Sequence, residues 1–325
     1  MLRTTLSGRS SRTLLMLSLA ANAILLLVGS YVFTGRGGGC EEGQYPAYHR
    51  FLPPQSLHFN ASSLTQAVQE TVFVGGVPRS GTTLARAMLD AHPDVRCGEE
   101  TRVIPRMISM RSRWSKSQKE SSRLREAGIS EETLDGATRA FISEIILNHG
   151  KSAKYLCNKD PLVLNYVQDL SRIFPRSKFV LMIRDGRAVA YSIVSRNVTI
   201  SGVDSKSYLS AALFWNKVVQ RMSTDCVNHR KRCLMIHYED LVSNPRKWMT
   251  KLLDFLGIPW HENVLHHDQF INSEVFLSKL EPSSSQVRRE VNTESVEKWR
   301  QKMPVDIQKE IYKKCDLLKE LGYPP

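Results

Sequence analysis

The chain has 325 residues, 42% hydrophobic and 24% charged, which is ordinary for a globular fold and long enough for one large domain or two modest ones. Its net charge of +13 is not ordinary. A field of that sign favours anionic ligands such as nucleic acid, phosphorylated or sulfated cofactors, or acidic peptides, and charge alone excludes none of them.

Residues 1–36 contain Arg3, Arg9, Arg12 and Arg36 and no acid, so nine of the thirteen net positive charges lie downstream. Between Arg12 and Arg36 run 23 uncharged residues, TLLMLSLAANAILLLVGSYVFTG. As a helix they span roughly 34 Å, enough to cross a bilayer core of about 30 Å. A cleaved signal peptide competes with this reading, because Ala20, Ala21, Gly29 and Ser30 are small. The run is longer than a usual signal core, however, and no clear A-x-A site closes it. The expectation is a signal anchor at 13–35 behind a cytoplasmic tail at 1–12, with the arginines keeping the tail inside and the large domain lumenal. Residues 36–70 read as a stem, opened by GRGGGCEEG and continued by Pro46, Pro53 and Pro54.

From Val72 the texture changes. TVFVGGV is a short β-branched run ending in glycine, expected as a buried strand, and TTLARAMLDAH after it is expected as a helix. Residues 129–149 carry a helical repeat in Leu134, Phe141, Ile142, Ile145 and Ile146. YLCNKD at 155–160, KFVLMIRD at 178–185 and CLMIHYEDL at 233–241 read as strands; GRAVAYSIVSR at 186–196 and NPRKWMTKLLDFLG at 244–257 read as helices. WSKSQKESSRLR at 114–125 reads as a solvated helix, and Trp215, Trp248, Trp260 and Trp299 as packing residues. Alternating strands and helices imply an α/β domain over 71–325, a parallel sheet covered on both faces. Ligands of such sheets bind outside the carboxyl ends of the strands, where Gly76–Arg79, Asn158–Asp160 and Arg184–Asp185 fall.

The six cysteines are Cys40, Cys97, Cys157, Cys226, Cys233 and Cys315. A lumenal domain permits disulfides, and Cys226 and Cys233 flank the short polar stretch VNHRKR. No C-x-x-C pair exists, and His261, His266, His267 and Asp268 match no zinc spacing, so no metal is expected. Asn60-Ala-Ser62 and Asn197-Val-Thr199 are glycosylation sequons.

The stretch VGGVPRSGTTL at 74–84 carries the chemistry. Gly76 and Gly81 are spaced as in a phosphate-cradling loop, but Thr82 stands where that loop needs Lys, and a cation appears early, as Arg79. A strand, a glycine turn and a helix start aim backbone N–H groups and the helix dipole at one point. Ser80, Thr82 and Thr83 add hydroxyl donors, and Arg79 adds a planar fork suited to tetrahedral oxyanions. Without the Lys and without an evident acidic partner for Mg²⁺, nucleotide hydrolysis is disfavoured.

VFVGGVPRSGTTLARAMLDAHPDVRCGEETRVIPR strongly resembles the tyrosylprotein sulfotransferases, a Golgi family, and so do LCNKDP, SKFVLMIRDGRA, FLGIPW and VLHHDQFI. The resemblance runs from about Val72 to Trp299 and implies a P-loop-like three-layer fold behind an N-terminal transmembrane helix. It implies transfer of a sulfuryl group from 3′-phosphoadenosine 5′-phosphosulfate (PAPS) to tyrosine hydroxyls of secretory proteins, with no metal and no nucleic acid. Arg79, Ser80, Gly81, Thr82 and Thr83 match the family's 5′-phosphosulfate loop; Arg184, Ser192 and Arg196 match its 3′-phosphate site. Tyr238, Ser283 to Val291 and Lys298 match further cofactor contacts. Glu100 matches the general base, and Lys159 and Ser283 the groups that stabilise charge on the transferring sulfuryl. Arg102 and Arg106 match contacts to an acceptor peptide that is acidic in this family. Read without the resemblance, Glu100 could simply pair with Arg102, and Lys159 with Asp160. The resemblance also implies disulfides Cys97–Cys157 and Cys226–Cys233, a homodimer and a type II Golgi membrane protein. A glycan sulfotransferase and a catalytically silent lumenal binder are the competing functions. CGEETRVIPR is not expected in the first, and the presence of every proposed catalytic position argues against the second.

Overall fold

The computed structural model describes residues 70–325 apart from Pro282. The expected anchor and stem, Cys40 and Asn60 lie outside the described residues. No helix among the described residues is long and apolar enough to cross a membrane.

Five strands form one parallel sheet: β1 Val72–Gly76, β2 Val95–Arg96, β3 Tyr155–Lys159, β4 Lys178–Ile183 and β5 Cys233–His237, in the order β2-β3-β1-β4-β5. The helices are α1 Thr82–Asp90, α2 Val103–Lys116, α3 Gln118–Glu126, α4 Glu131–Asn148, α5 Val167–Ile173, α6 Gly186–Ser195 and α7 Tyr208–Asn228, then α8 Tyr238–Ser243, α9 Pro245–Leu256, α10 Glu294–Lys302, α11 Val305–Lys314 and α12 Asp316–Glu320.

A parallel strand covered on both sides needs apolar residues at every position, because successive side chains face opposite ways. In β1 Phe73 enters one core with Ile108 of α2, Ile142 of α4 and Trp215 of α7. Val72 and Val74 enter the other, with Met88 of α1 and Leu252 of α9. Two cores on two sheet faces make the three-layer α/β arrangement. Register then aligns the strand ends: Val74 pairs with Lys159 and Gly76 with Met182, so the residues after β1, β3 and β4 emerge together.

Two expected elements and one expected packing residue differ. Residues 233–241 do not form one strand: β5 stops at His237 because its ladder partner β4 stops at Ile183, and α8 begins at Tyr238 with Glu239 and Asp240 favouring its positive end. Residues 114–125 are divided at Ser117, which ends α2 and caps α3 by accepting a bond from Glu120 N–H. Trp215 and Trp299 are fully buried, as expected of packing residues, whereas Trp260 is exposed. Both implied disulfides are present: Cys97–Cys157 joins the chain after β2 to β3, and Cys226–Cys233 joins the end of α7 to β5.

Phe73 is fully buried, 5.6 Å from Phe174 and 6.1 Å from Phe179 by ring centroids. Phe73→Ala should therefore cost about 3–5 kcal/mol, read as a lower denaturant midpoint at unchanged slope. A midpoint equal to the wild type would contradict this placement of the core.

Candidate active site

The loop after β1 turns through two unusual residues. Arg79 has φ 78° and Gly81 has φ 94°, so two left-handed steps on either side of Ser80 fold residues 77–81 over the start of α1. Only glycine fits at 81: an added Cβ would lie 2.5 Å from the Tyr238 ring. Helix α1 has no side-chain cap and no acid in its first turn, so its leading N–H groups and dipole face outward. Ser80 is buried with an unpartnered Oγ in the same loop.

A cavity of about 360 Å³ opens in front of this loop. Arg79, Gly81, Thr82, Thr83, Arg184, Arg196, Tyr238, Ser283 and Lys298 all line it, with Gln286, Val287, Arg289, Glu290 and Val291 of the 283–291 stretch, so fourteen of the positions implied by the resemblance share one space. Arg289 adds a further cation to the wall. Ser80 and Ser192 lie beneath it, both buried. Arg79 is fanned across three oxygens: Nε donates to Ser192 Oγ at 2.9 Å, Nη2 to Gln286 Oε1 at 2.8 Å, and Nη1 to Ser283 Oγ. Arg184 stacks on the Tyr238 ring 4.4 Å from its centroid and donates to the Arg79 carbonyl at 3.2 Å; its buried Nε is unpartnered. Burial, then the charges of Arg196 and Arg184, push the Arg79 guanidinium down to about 10. Cations have been crowded here in excess of nearby anions, the electrostatic condition for binding a polyanion.

The second half of the site lies at the end of β3. Lys159 is fully buried and donates to Glu100 Oε1 at 2.8 Å and Glu281 Oε2 at 3.1 Å. Glu100 also faces Arg102 at 3.5 Å, so one of the simple pairings exists beside the other contact. The second does not form: Lys159 pairs with Glu100 and Glu281, while Asp160 accepts from Thr101 Oγ1, Arg102 N–H and Asn158 Nδ2. Burial raises the Asp160 carboxyl, partly offset by those three donors. Asp160 and the Cys97–Cys157 bond thereby hold the segment that carries Glu100 against β3. Arg102 precedes α2 with φ 55°, and Arg106 is exposed in its first turns. Asn197, the sequon residue, is exposed beside Arg196.

Sequence reasoning missed Glu281; Gln286 falls within the implied Ser283–Val291 stretch, without a role of its own. EPSSSQ offers no spacing that would bring Glu281 to Lys159, 122 positions away; only the fold does that. His267, of the group His261, His266, His267 and Asp268, is buried with its Nε2 3.0 Å from the Val287 carbonyl.

The sulfotransferase family model matches residues 71–262. Over 256 residues the chain is 53% identical to protein-tyrosine sulfotransferase 1 of Danio rerio, covering 78% of this chain and 72% of that protein. Over 257 residues it is 51% identical to protein-tyrosine sulfotransferase 1 of Homo sapiens, covering 78% and 70%. Among solved structures, the sulfotransferase domain from the curacin biosynthetic pathway aligns with a TM-score of 0.53 at 18% identity, over 75% of this chain and 96% of that one. At that identity the likeness shows the fold alone.

The left-handed turn gives a direct test. Gly81→Ala should destabilise the fold by about 1–3 kcal/mol in calorimetry, through its strained φ and the Tyr238 clash. Adding Tyr238→Ala should recover none of the conformational cost, though it relieves the clash. A Gly81→Ala protein as stable as the wild type would refute this loop geometry.

Proposed function

The chain belongs to the protein-tyrosine sulfotransferase family, and on that premise we infer that it transfers a sulfuryl group from PAPS to tyrosine hydroxyls of secreted or membrane proteins. The observation that carries this reading is the carboxylate–ammonium pair Glu100–Lys159 held beside the cation-lined cavity, close enough for the Glu100 charge to act on Arg79.

The residues fit the donor. The unpartnered Ser80 Oγ and Arg184 Nε, the open first turn of α1 and the crowded guanidiniums are groups that phosphate and sulfate oxygens satisfy. In this reading Gly81, Thr82, Thr83 and Arg79 hold the phosphosulfate end, Arg184, Ser192, Arg196 and Lys298 the 3′-phosphate end, and Tyr238 stays packed between loop and Arg184. The donor, when bound, supplies an electrophilic sulfuryl group for in-line displacement. Glu100 accepts the proton of the tyrosine hydroxyl, whose ordinary pKa near 10 makes a positioned base useful. Lys159, Arg79 and Ser283 supply positive charge and hydrogen bonds where negative charge grows.

The acceptor side favours acidic peptides. Arg102 and Arg106 project from the amino end of α2, which has no acid in its first turn, so two guanidiniums and the helix dipole add in sign. The two disulfides support a location in an oxidising lumen; taking the uncharged run at 13–35 as an anchor, we assign the chain to the Golgi membrane in type II orientation.

Purified full-length protein given PAPS should sulfate an acidic tyrosine peptide and leave its Phe-for-Tyr twin unlabelled. Glu100→Ala should lower the rate about 10²–10⁴-fold while adenosine 3′,5′-bisphosphate still binds. Label on the Phe peptide, or full activity without Glu100, would defeat the assignment. Arg102→Glu combined with Arg106→Glu should raise KM for the acidic peptide roughly tenfold at low salt and less at high salt, with kcat little changed. An unaltered KM would remove these arginines from the acceptor site.

A further inference from the structure

Lys159 is one buried ammonium between two carboxylates, and the two are not equivalent. Glu100 stands at the edge of the site, its side chain 14% exposed and shared with Arg102; Glu281 lies deeper, at 6%. Glu281 also binds the base through the main chain, since Glu100 N–H donates to its Oε1 at 3.2 Å. Burial alone would raise the Glu281 carboxyl, but Lys159, the Glu100 N–H and Arg86 outweigh it and hold it below the ordinary range. It therefore stays ionised at neutral pH.

This matters when Glu100 takes a proton. Its carboxylate becomes neutral, and Lys159 would be left as an uncompensated buried cation, a state that costs several kcal/mol. A second carboxylate that never enters the reaction removes that difficulty. We propose that Glu281 is the fixed counterion of Lys159, a positioning residue that keeps the ammonium paired and aimed while Glu100 alone accepts the acceptor proton. The proton passes from the tyrosine hydroxyl to a Glu100 oxygen; no bond to Glu281 forms or breaks. This inference rests on the assignment of Glu100 as the base.

The charged groups facing Glu281 are Lys159 from β3, Glu100 from the segment after β2 and Arg86 from α1; around Glu100 stand Arg102, Asp160 and Arg79. Removing the Glu281 charge leaves Lys159 to act on Glu100 alone, so Glu100 holds a proton less well. In Glu281→Gln the acid limb of kcat/KM should move to lower pH while the plateau falls.

The test measures kcat, KM and pH profiles for wild type, Glu281→Gln and Glu281→Asp, with adenosine 3′,5′-bisphosphate binding by calorimetry. Glu281→Gln should lose about 10–100-fold in kcat, with peptide KM and nucleotide affinity within about threefold of wild type. Glu281→Asp, which keeps the charge, should recover part of the loss and return the acid limb toward the wild-type position. A Glu281→Gln enzyme within twofold of wild type, or one slowed without any movement of the limb, overturns the proposal. Thermal melting supplies a readout that needs no transfer. Lys159→Met leaves two carboxylates facing each other, so adding Glu281→Gln should raise its Tm by about 2–4 °C. A double variant that melts no higher than Lys159→Met also overturns it. Should wild type transfer nothing to tyrosine, the assigned activity falls, and the melting comparison alone still decides whether Glu281 and Lys159 are coupled.

Discussion

The buried guanidinium of Arg79, beyond the end of the central strand, sets the terms for the rest of the site. Burial first, then the charges of Arg196 and Arg184, disfavour its charged form. Such an arrangement persists only if the fold over-determines it. β1 and β4 supply the rigid ends, the left-handed Arg79 and Gly81 turn the loop, and Tyr238 fills the space that a side chain at 81 would need. Serine and glutamine oxygens then share the Arg79 fork, neutral partners that hold its plane without cancelling its charge. In the proposed function the anionic oxygens of the donor relieve this strain and repulsion without a loop Lys.

The neighbouring half of the site has the opposite excess: one ammonium and two carboxylates. The two halves are joined by a short segment. Glu281 touches Lys159 and the Glu100 backbone, while Ser283 and Gln286, a few residues on, hold Arg79. A displacement of that segment would therefore disturb Glu100 and the Arg79 loop together. This coupling gives residues 281–286 more influence than their irregular conformation suggests.

The strand–loop–helix start at 72–90 was legible because its signals are local: a β-branched run, two spaced glycines and a helical periodicity. The same holds for charged residues at strand ends, whereas Ser192 and Arg196, one helical turn apart, are marked only by the family resemblance. Glu281 was illegible for the converse reason, since its partners come from β3 and from the segment after β2 and no pattern within EPSSSQ marks it. The strand reading ran on through Tyr238–Leu241 although Glu239 and Asp240 favour a helix start, and β4 stops offering hydrogen bonds at Ile183. Strand length there is decided by the neighbour. Helices α2 and α7 went unpredicted although they supply Ile108 and Trp215 to the core, their apolar positions being diluted by polar ones on the solvent side.

Arg184 shows how far such non-local support extends. The residue after it, Asp185, donates its N–H to Glu239 Oε1 at 2.9 Å, and its carboxylate grips Arg187 through Nε at 3.0 Å and Nη2 at 2.8 Å. Arg187 Nη2 reaches the Pro324 carbonyl at 2.6 Å, and Tyr323 donates its hydroxyl to Glu239 Oε2 at 3.2 Å. Burial raises both the Glu239 carboxyl and the Tyr323 phenol, so the network is not a simple gain in stability. Buried ion pairs often do no better than apolar packing of the same volume, but they fix direction. Here the fixed quantity is the backbone at the end of β4. With residues 185 and 187 tied to α8 and the C-terminal segment, Arg184 emerges in register with the Tyr238 ring and the Arg79 carbonyl. The anion crevice is thus built from both ends of the described domain, its loop by the first strand and its second wall by the last turn of the chain.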